Sequence, residues 1–160
     1  LSRKKKKKKG ISSSNLIARN KKALSDFFIL DSFEAGIELW GSEVKSVRDH
    51  RVNLKDSYAR IENGELFLLN MHISPYANSR IEDMDPRRVR KLFMHRREID
   101  RLQGKLTDKS LTLVPLKLYF KKNIVKTELA LAKGKNKRDR RRDIMEKEHS
   151  REINRALKNY

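Results

Sequence analysis

The sequence predicts a mainly β fold with short helices: an antiparallel barrel with flanking α-helices and a basic C-terminal tail. Three observations carry this. Two pairs of apolar, strand-like stretches surround turn residues, one pair at 57–73 about Asn63-Gly64 and one at 111–131 about residues 121–123. The connections are short, which favours antiparallel pairing, because parallel strands need long crossovers. The chain's positive charge is gathered at its two ends.

Residues 1–14 read as a disordered basic arm, a lysine run followed by Gly10 and three serines; a plain solubilising tail is the alternative. Residues 15–24 set Leu16, Ile17, Ala23 and Leu24 around Arg19, Lys21 and Lys22, a pattern for one or two helical turns. Residues 27–30, Phe-Phe-Ile-Leu, predict a buried strand, 32–34 a turn, and Ile37, Leu39 and Trp40 the next strand. A short helix is expected over 42–47, with Ser42 as N-cap, Glu43 in the first turn and Val44 and Val47 facing the core.

The clearest element is the hairpin over 57–73, because Asn63-Gly64 supplies the positive φ angles of a tight type I′ turn. Residues 74–85 are polar and irregular, and 87–91 are basic. Residues 95–102 predict a helix with Ile99 and Leu102 inward, stopped by Gly104. The strands at 111–120 and 124–131 follow, with Pro115 implying an edge position or a bulge. About six strands and two or three helices result. Closing the sheet removes exposed strand edges, and an oligonucleotide-binding-like (OB-like) barrel over 15–132 is the expected architecture. Residues 133–160 hold too few apolar side chains to pin a helix on a core, so a tail is expected that is disordered alone and helical when docked.

The net charge is +19. Residues 1–22 carry ten Lys/Arg and no acid, residues 133–160 eleven against five, and the middle nineteen against sixteen. A balanced domain with cationic ends favours polyanions through phosphate neutralisation. There is no cysteine, so thiolate metal sites and disulfides are excluded. No run of about 18 apolar residues exists, so no segment is expected to span a membrane. The lysine run leads into polar residues rather than an apolar stretch, so no signal peptide is read there. A cytoplasmic nucleic-acid binder is the expectation.

Little points to catalysis. His50, His72, His95 and His149 lie far apart, and no pair has metal-ligand spacing. Gly134-Lys135 lacks the rest of a phosphate-binding loop. No cofactor and no metal are expected. A metal-dependent nuclease using Asp31 and Glu34 is one rival class; a ribosomal structural protein is another.

Candidate binding residues come in three groups. Glu34 is favoured on its own chemistry as a turn residue, although near a base it would accept from amino or imino groups. Arg80, Arg87, Arg88, Arg90, Lys91, Arg96 and Arg97 make an internal basic patch, mixed with Glu82, Asp83 and Asp85. Phe93, Met94 and His95 within it are suited to base stacking, or the patch is a solvated loop with Phe93 in the core. Arg138, Arg140, Arg141 and Arg142 suit phosphate contact through their forked donors, or form a solvated helix face.

Several longer motifs occur in order: Phe33-Glu34-Ala35-Gly36-Ile37, Gly41-Ser42-Glu43-Val44-Lys45-Ser46-Val47-Arg48, Asp56-Ser57-Tyr58-Ala59 and Asn70-Met71-His72-Ile73-Ser74-Pro75-Tyr76. Arg90-Lys91-Leu92, Leu113-Val114-Pro115-Leu116-Lys117-Leu118-Tyr119-Phe120 and Leu129-Ala130-Leu131-Ala132-Lys133-Gly134-Lys135 follow. In this the chain resembles the small protein B family of SsrA-binding proteins over about residues 20–158. The resemblance implies a non-catalytic, monomeric protein that binds the tRNA-like domain of transfer-messenger RNA and delivers it to stalled ribosomes for trans-translation. It implies RNA contact at Asn20, Glu34, Lys45, Arg90, Lys91, Leu92, Phe93, Lys133 and Lys135. It also implies that Arg138, Asp139, Arg140 and Arg141 work at the decoding site and along the mRNA path. The family usually carries Lys where this chain has Arg140, and the two cations are not equivalent.

Overall fold

The computed structural model describes residues 15–78 and 84–158. The basic arm at 1–14 and the patch members Arg80, Glu82 and Asp83 lie outside the described residues. Nine strands and four helices occur among the described ones. Strand β1 (Leu16–Arg19) leads into α1 (Lys21–Asp26), β2 (Phe27–Ile37) and α2 (Gly41–Arg48). Then come β3 (Val52–Asn53), β4 (Tyr58–Glu62), β5 (Glu65–Leu69), β6 (His72–Ile73) and β7 (Arg90–Phe93). Helix α3 (Arg96–Lys105), β8 (Leu111–Lys121), β9 (Ile124–Gly134) and α4 (Lys137–Lys158) complete the order.

The protein is mainly β, built on one large antiparallel sheet. Its seven strands run β1-β8-β4-β5-β7-β2-β9, and β8 also pairs with β9. A separate pair, β3 with β6, lies outside it. Alternation places Ala35, Leu66, Leu68, Leu92, Leu118 and Leu129 in one core, which Val47 of α2 and Leu102 of α3 join. Each such leucine contributes about 1.5–3 kcal/mol on burial. A smaller cluster of Ala23, Val114, Leu116, Ala130 and Ala132 lies where α1 meets β8 and β9.

The Asn63-Gly64 hairpin is present, with φ of 51° and 73° at the turn and Glu62 opposite Glu65. Pro115 sits at a register shift in β8, as its missing N–H requires.

Several expectations are corrected. Residues 15–24 are not mainly helical: β1 pairs with β8, and the helix begins at Lys21. The turn expected at 32–34 does not exist. β2 is one strand from Phe27 to Ile37, bent by a register shift between Ile29 and Asp31, and the Asp31 carboxylate accepts the Ser32 N–H at 2.8 Å. A bulge collects the polar residues that otherwise mark turns. Phe28, Ile29 and Leu30 are exposed rather than buried. Finally, Gly104 lies inside α3, which runs on to Lys105.

Two helix starts depend on specific side chains. α2 has Trp40, not Ser42, at its N-cap, and the Glu43 carboxylate returns to accept the Trp40 N–H at 2.9 Å. At α4, the Asn136 side chain accepts the Asp139 N–H at 2.9 Å. β9 runs through Gly134, two residues past the expected boundary at 132, and residues 137–158 form one helix with no buried residue. Without a buried face, this helix rests on local bonds and on the pairs Lys135–Asp143 (2.6 Å) and Arg140–Asp26 (3.8 Å).

Candidate nucleic-acid interface

Because successive strand residues alternate between faces, the pairing register defines an outward face across β8, β9, β2 and β7. Lys117 lies opposite Glu128, Tyr119 opposite Lys126, Glu34 opposite Glu128, and Gly36 opposite both Lys126 and Phe93. Lys91, two residues before Phe93, shares that face. This face is the candidate interface.

Glu34 is its acidic centre. Tyr119 donates its hydroxyl to Oε2 at 2.6 Å, and Lys121 donates to Oε1 at 2.7 Å. Partial burial pushes the Glu34 carboxyl up. The hydrogen bonds from Lys121 and Tyr119 and the nearby charges outweigh it, so the group sits below the usual glutamate range and is ionised at neutral pH. Burial, with the Glu34 carboxylate beside it, raises the Tyr119 hydroxyl well above the ordinary tyrosine value, so it stays a donor. Glu34 is thus a fixed carboxylate with acceptor capacity left over.

Around it the face carries several lysines. Lys117 pairs with Glu128 at 3.0 Å and Lys91 with Glu65 at 2.5 Å. Lys126 makes no ion pair within 4 Å among the described residues; its Nζ lies over Gly36, 3.6 Å from where a Cβ would be. Phe93 is 52% exposed, and its own Cβ lies 3.4 Å from that same point. A side chain at Gly36 would therefore fill the shallow floor between Phe93 and Lys126.

The residues expected to bind RNA separate by position. Glu34, Lys91 and Phe93 share the outward face, and Lys133 is exposed at the far end of β9. Leu92 is in the core. Arg90 is fully buried: Nε and Nη2 donate to Glu43 Oε1 at 2.9 and 2.7 Å, and Nη1 donates to the Met71 carbonyl at 2.7 Å. Asn20 is buried as the N-cap of α1. Its amide accepts the Ala23 N–H at 3.1 Å and donates to the Leu54 and Pro115 carbonyls, both at 3.0 Å. Lys45 sits over the Tyr76 ring at 5.3 Å, and Lys135 over Phe28 at 5.0 Å while bonded to Asp143. Asn20, Arg90 and Leu92 thus have their side chains engaged within the protein.

In α4, Arg138 and Arg141 are exposed and have no acid within 4 Å among the described residues. Arg140 donates to the Lys135 carbonyl at 3.2 Å besides its pair with Asp26. Asp139 lies 3.9 Å from Arg142. Asp31 faces Lys105 at 3.6 Å, away from the groups that hold Glu34, so the two carboxylates engage different elements. No three His, Asp or Glu side chains cluster as metal ligands among the described residues. No helix among them is long and apolar enough to cross a membrane.

Sequence reasoning missed Tyr119, Lys117, Lys121 and Lys126. Alternation would have found the lysines, since Lys117 and Lys126 flank buried Leu118, Val125 and Thr127, whereas Tyr119 is itself buried and reads as core.

Comparison with known proteins decides the family. The model for "SmpB protein" matches residues 17–159. The chain belongs to the SmpB family. The SsrA-binding protein of Carboxydothermus hydrogenoformans is 58% identical over 143 residues, covering 89% of this chain and 96% of that one. The SsrA-binding protein of Halothermothrix orenii is 57% identical, covering 89% and 92%. Among solved structures, a chain from "tmRNA-SmpB: a journey to the center of the bacterial ribosome" is 48% identical with a TM-score of 0.64, covering 75% of this chain and 85% of that one.

Proposed function

We propose that this chain binds the tRNA-like domain of transfer-messenger RNA and delivers it to stalled ribosomes for trans-translation. The observation that carries the reading is the match over most of the chain to a protein solved as part of tmRNA-SmpB. The outward face supports it with an ionised acceptor at Glu34, an exposed ring at Phe93 and cations at Lys91, Lys121 and Lys126. A carboxylate among cations suits folded RNA, in which base edges and phosphates lie side by side.

Within this reading the chain is a carrier, not an enzyme, and works in the cytoplasm as a monomer with one RNA. The body over residues 15–132 is read as an OB-like barrel, a reading supported by the run of pairings β8–β4–β5–β7–β2–β9 and the further pairing of β9 with β8. Glu34, Lys91, Phe93 and Lys133 are the direct contacts, with Lys45 and Lys135 at the margins. Asn20, Arg90 and Leu92 hold the strands that present them. The tail, helical over Lys137–Lys158, docks on the ribosome. Phosphate contacts from Arg138, Arg140 and Arg141, with Asp139 in the first turn, hold it along the mRNA path and at the decoding site.

The test is peptide tagging in a translation extract stalled on a message without a stop codon, supplied with alanine-charged transfer-messenger RNA and the purified chain. Tagging dependent on the chain is expected. Changing Arg140 and Arg141 to alanine removes tagging but leaves RNA binding. Absence of tagging by the unaltered chain overturns the proposal.

A further inference from the structure

Trp40 lies at one end of the outward face, outside the groups used so far. Gly36 pairs with Phe93, Ile37 with Leu92, and the Glu38 N–H donates to the Lys91 carbonyl at 2.9 Å. Just beyond this run the Arg88 guanidinium lies over the Trp40 ring, which puts Trp40 at the Val89 end of β7. Val89, Lys91 and Phe93 alternate onto one face, and both Val89 and Phe93 are about half exposed. Four residues of strand separate Phe93 from Val89, roughly 13 Å, within reach of one bound RNA.

The ring is held in an unusual setting. The Arg88 guanidinium lies over it, 4.1 Å from its centroid. Arg88 is itself fixed by Glu43, with Nε on Oε1 at 3.0 Å and Nη2 on Oε2 at 2.6 Å. The same Oε2 accepts the Trp40 backbone N–H at 2.9 Å. One buried carboxylate therefore fixes both the ring's backbone and the cation beneath it. Arg88 and Glu43 are largely covered, whereas Trp40 remains 46% exposed. Next to it, a Cβ on Gly41 would meet nothing within 4 Å. An indole with a cation on one face and open ground beside it is preorganised to stack a flat partner on its other face.

We propose that Trp40, backed by Arg88, seats an unpaired base of the bound RNA at the end of the Glu34–Phe93 face. The inference rests on the proposed RNA binding and adds a subsite to it. Its chemistry is base stacking without hydrogen-bond readout, so any base fits but a duplex end or loop is required. Lys91, on the same face of β7, suits a phosphate beside such a base.

Trp40 is the chain's single tryptophan, so its emission reports this ring alone. The experiment titrates the full chain with the tRNA-like domain of transfer-messenger RNA, following tryptophan emission and gel shift in parallel. Emission is expected to be quenched with the midpoint seen in the gel. Trp40→Ala should weaken binding by about 5-fold or more, the lower bound of a base–aromatic stack. Its salt dependence should not change, because no phosphate contact is lost. Trp40→Phe should restore most of the affinity, and thermal melting of both variants should match the unaltered chain. RNA that shifts in the gel without quenching, or quenches yet binds Trp40→Ala equally well, overturns this inference and leaves the proposed function standing. RNA that does not bind the unaltered chain removes both.

Discussion

Arg90 and Glu43, 47 positions apart in the chain, form an ion pair sealed inside the protein, with two guanidinium nitrogens on one carboxylate oxygen. The pair ties the first residue of β7 to the first turn of α2, and further bonds from Arg90 reach the Met71 and Pro86 carbonyls. β7 carries Lys91 and Phe93 on its outer side, so the buried pair sets the position of two interface residues without touching RNA.

Arg90→Ala should therefore act on stability. It leaves the Glu43 carboxylate buried beside Arg88 alone and frees several carbonyls, at a cost of about 3–5 kcal/mol. Urea denaturation should show this loss, while molecules that remain folded bind RNA as before. Full stability with reduced RNA affinity would make Arg90 a contact residue instead.

The same carboxylate gives the protein an acid sensitivity. Burial pushes the Glu43 carboxyl up, but Arg88, the Trp40 N–H and Arg90 outweigh that and hold it below the usual glutamate range. A group depressed in the fold contributes stability that is complete above its unfolded value and is lost as pH falls through the folded one. Glu43→Gln should thus melt lower than the parent at neutral pH, and the difference should shrink as pH falls below the ordinary glutamate value. A gap in melting temperature independent of pH down to strong acid would contradict the charge-pair account.

Asn20 links three segments: α1 through Ala23, the loop at Leu54 and the bulge at Pro115. Asn20→Ala removes a helix cap, about 1 kcal/mol, and leaves two buried carbonyls short of a donor. A destabilisation of roughly 2–4 kcal/mol in chemical denaturation is expected, with RNA affinity changed little at low temperature. Unaltered stability would mean that water replaces the amide.

Much of the fold was legible from local chemistry. Asn63-Gly64 announces its turn because few residues accept positive φ, and Pro115 announces a bulge because it lacks an N–H. β2 was misread because Asp31 and Ser32, turn-forming by composition, are accommodated in a bulge. β7 was hidden because Arg90 and Lys91 look like solvated loop; only Glu43, distant in sequence, makes a buried arginine tolerable. Arg90 and Leu92 flank Lys91 in one shared motif, and Asn20 is a candidate contact through the family resemblance alone. A motif in sequence does not separate a residue that touches a ligand from one that holds its neighbour in place.

Glu34→Ala is expected to behave oppositely to Arg90→Ala. The side chain is about two-fifths exposed, so its pair with Lys121 contributes little stability. Its loss should cost about 1–3 kcal/mol of RNA affinity, the scale of one base contact, with unchanged melting. Equal affinity in a gel shift would return Glu34 to a purely structural role beside Tyr119.

Selective RNA binding by this chain requires the outward sheet face to discriminate among RNA shapes rather than collect phosphate by charge. A competition gel shift of the full chain at physiological salt puts the tRNA-like domain of transfer-messenger RNA against duplex RNA of equal length. Duplex, even in large excess, should fail to displace the tRNA-like domain. Equal displacement by the two RNAs would contradict it and leave only the net charge of +19 to explain binding.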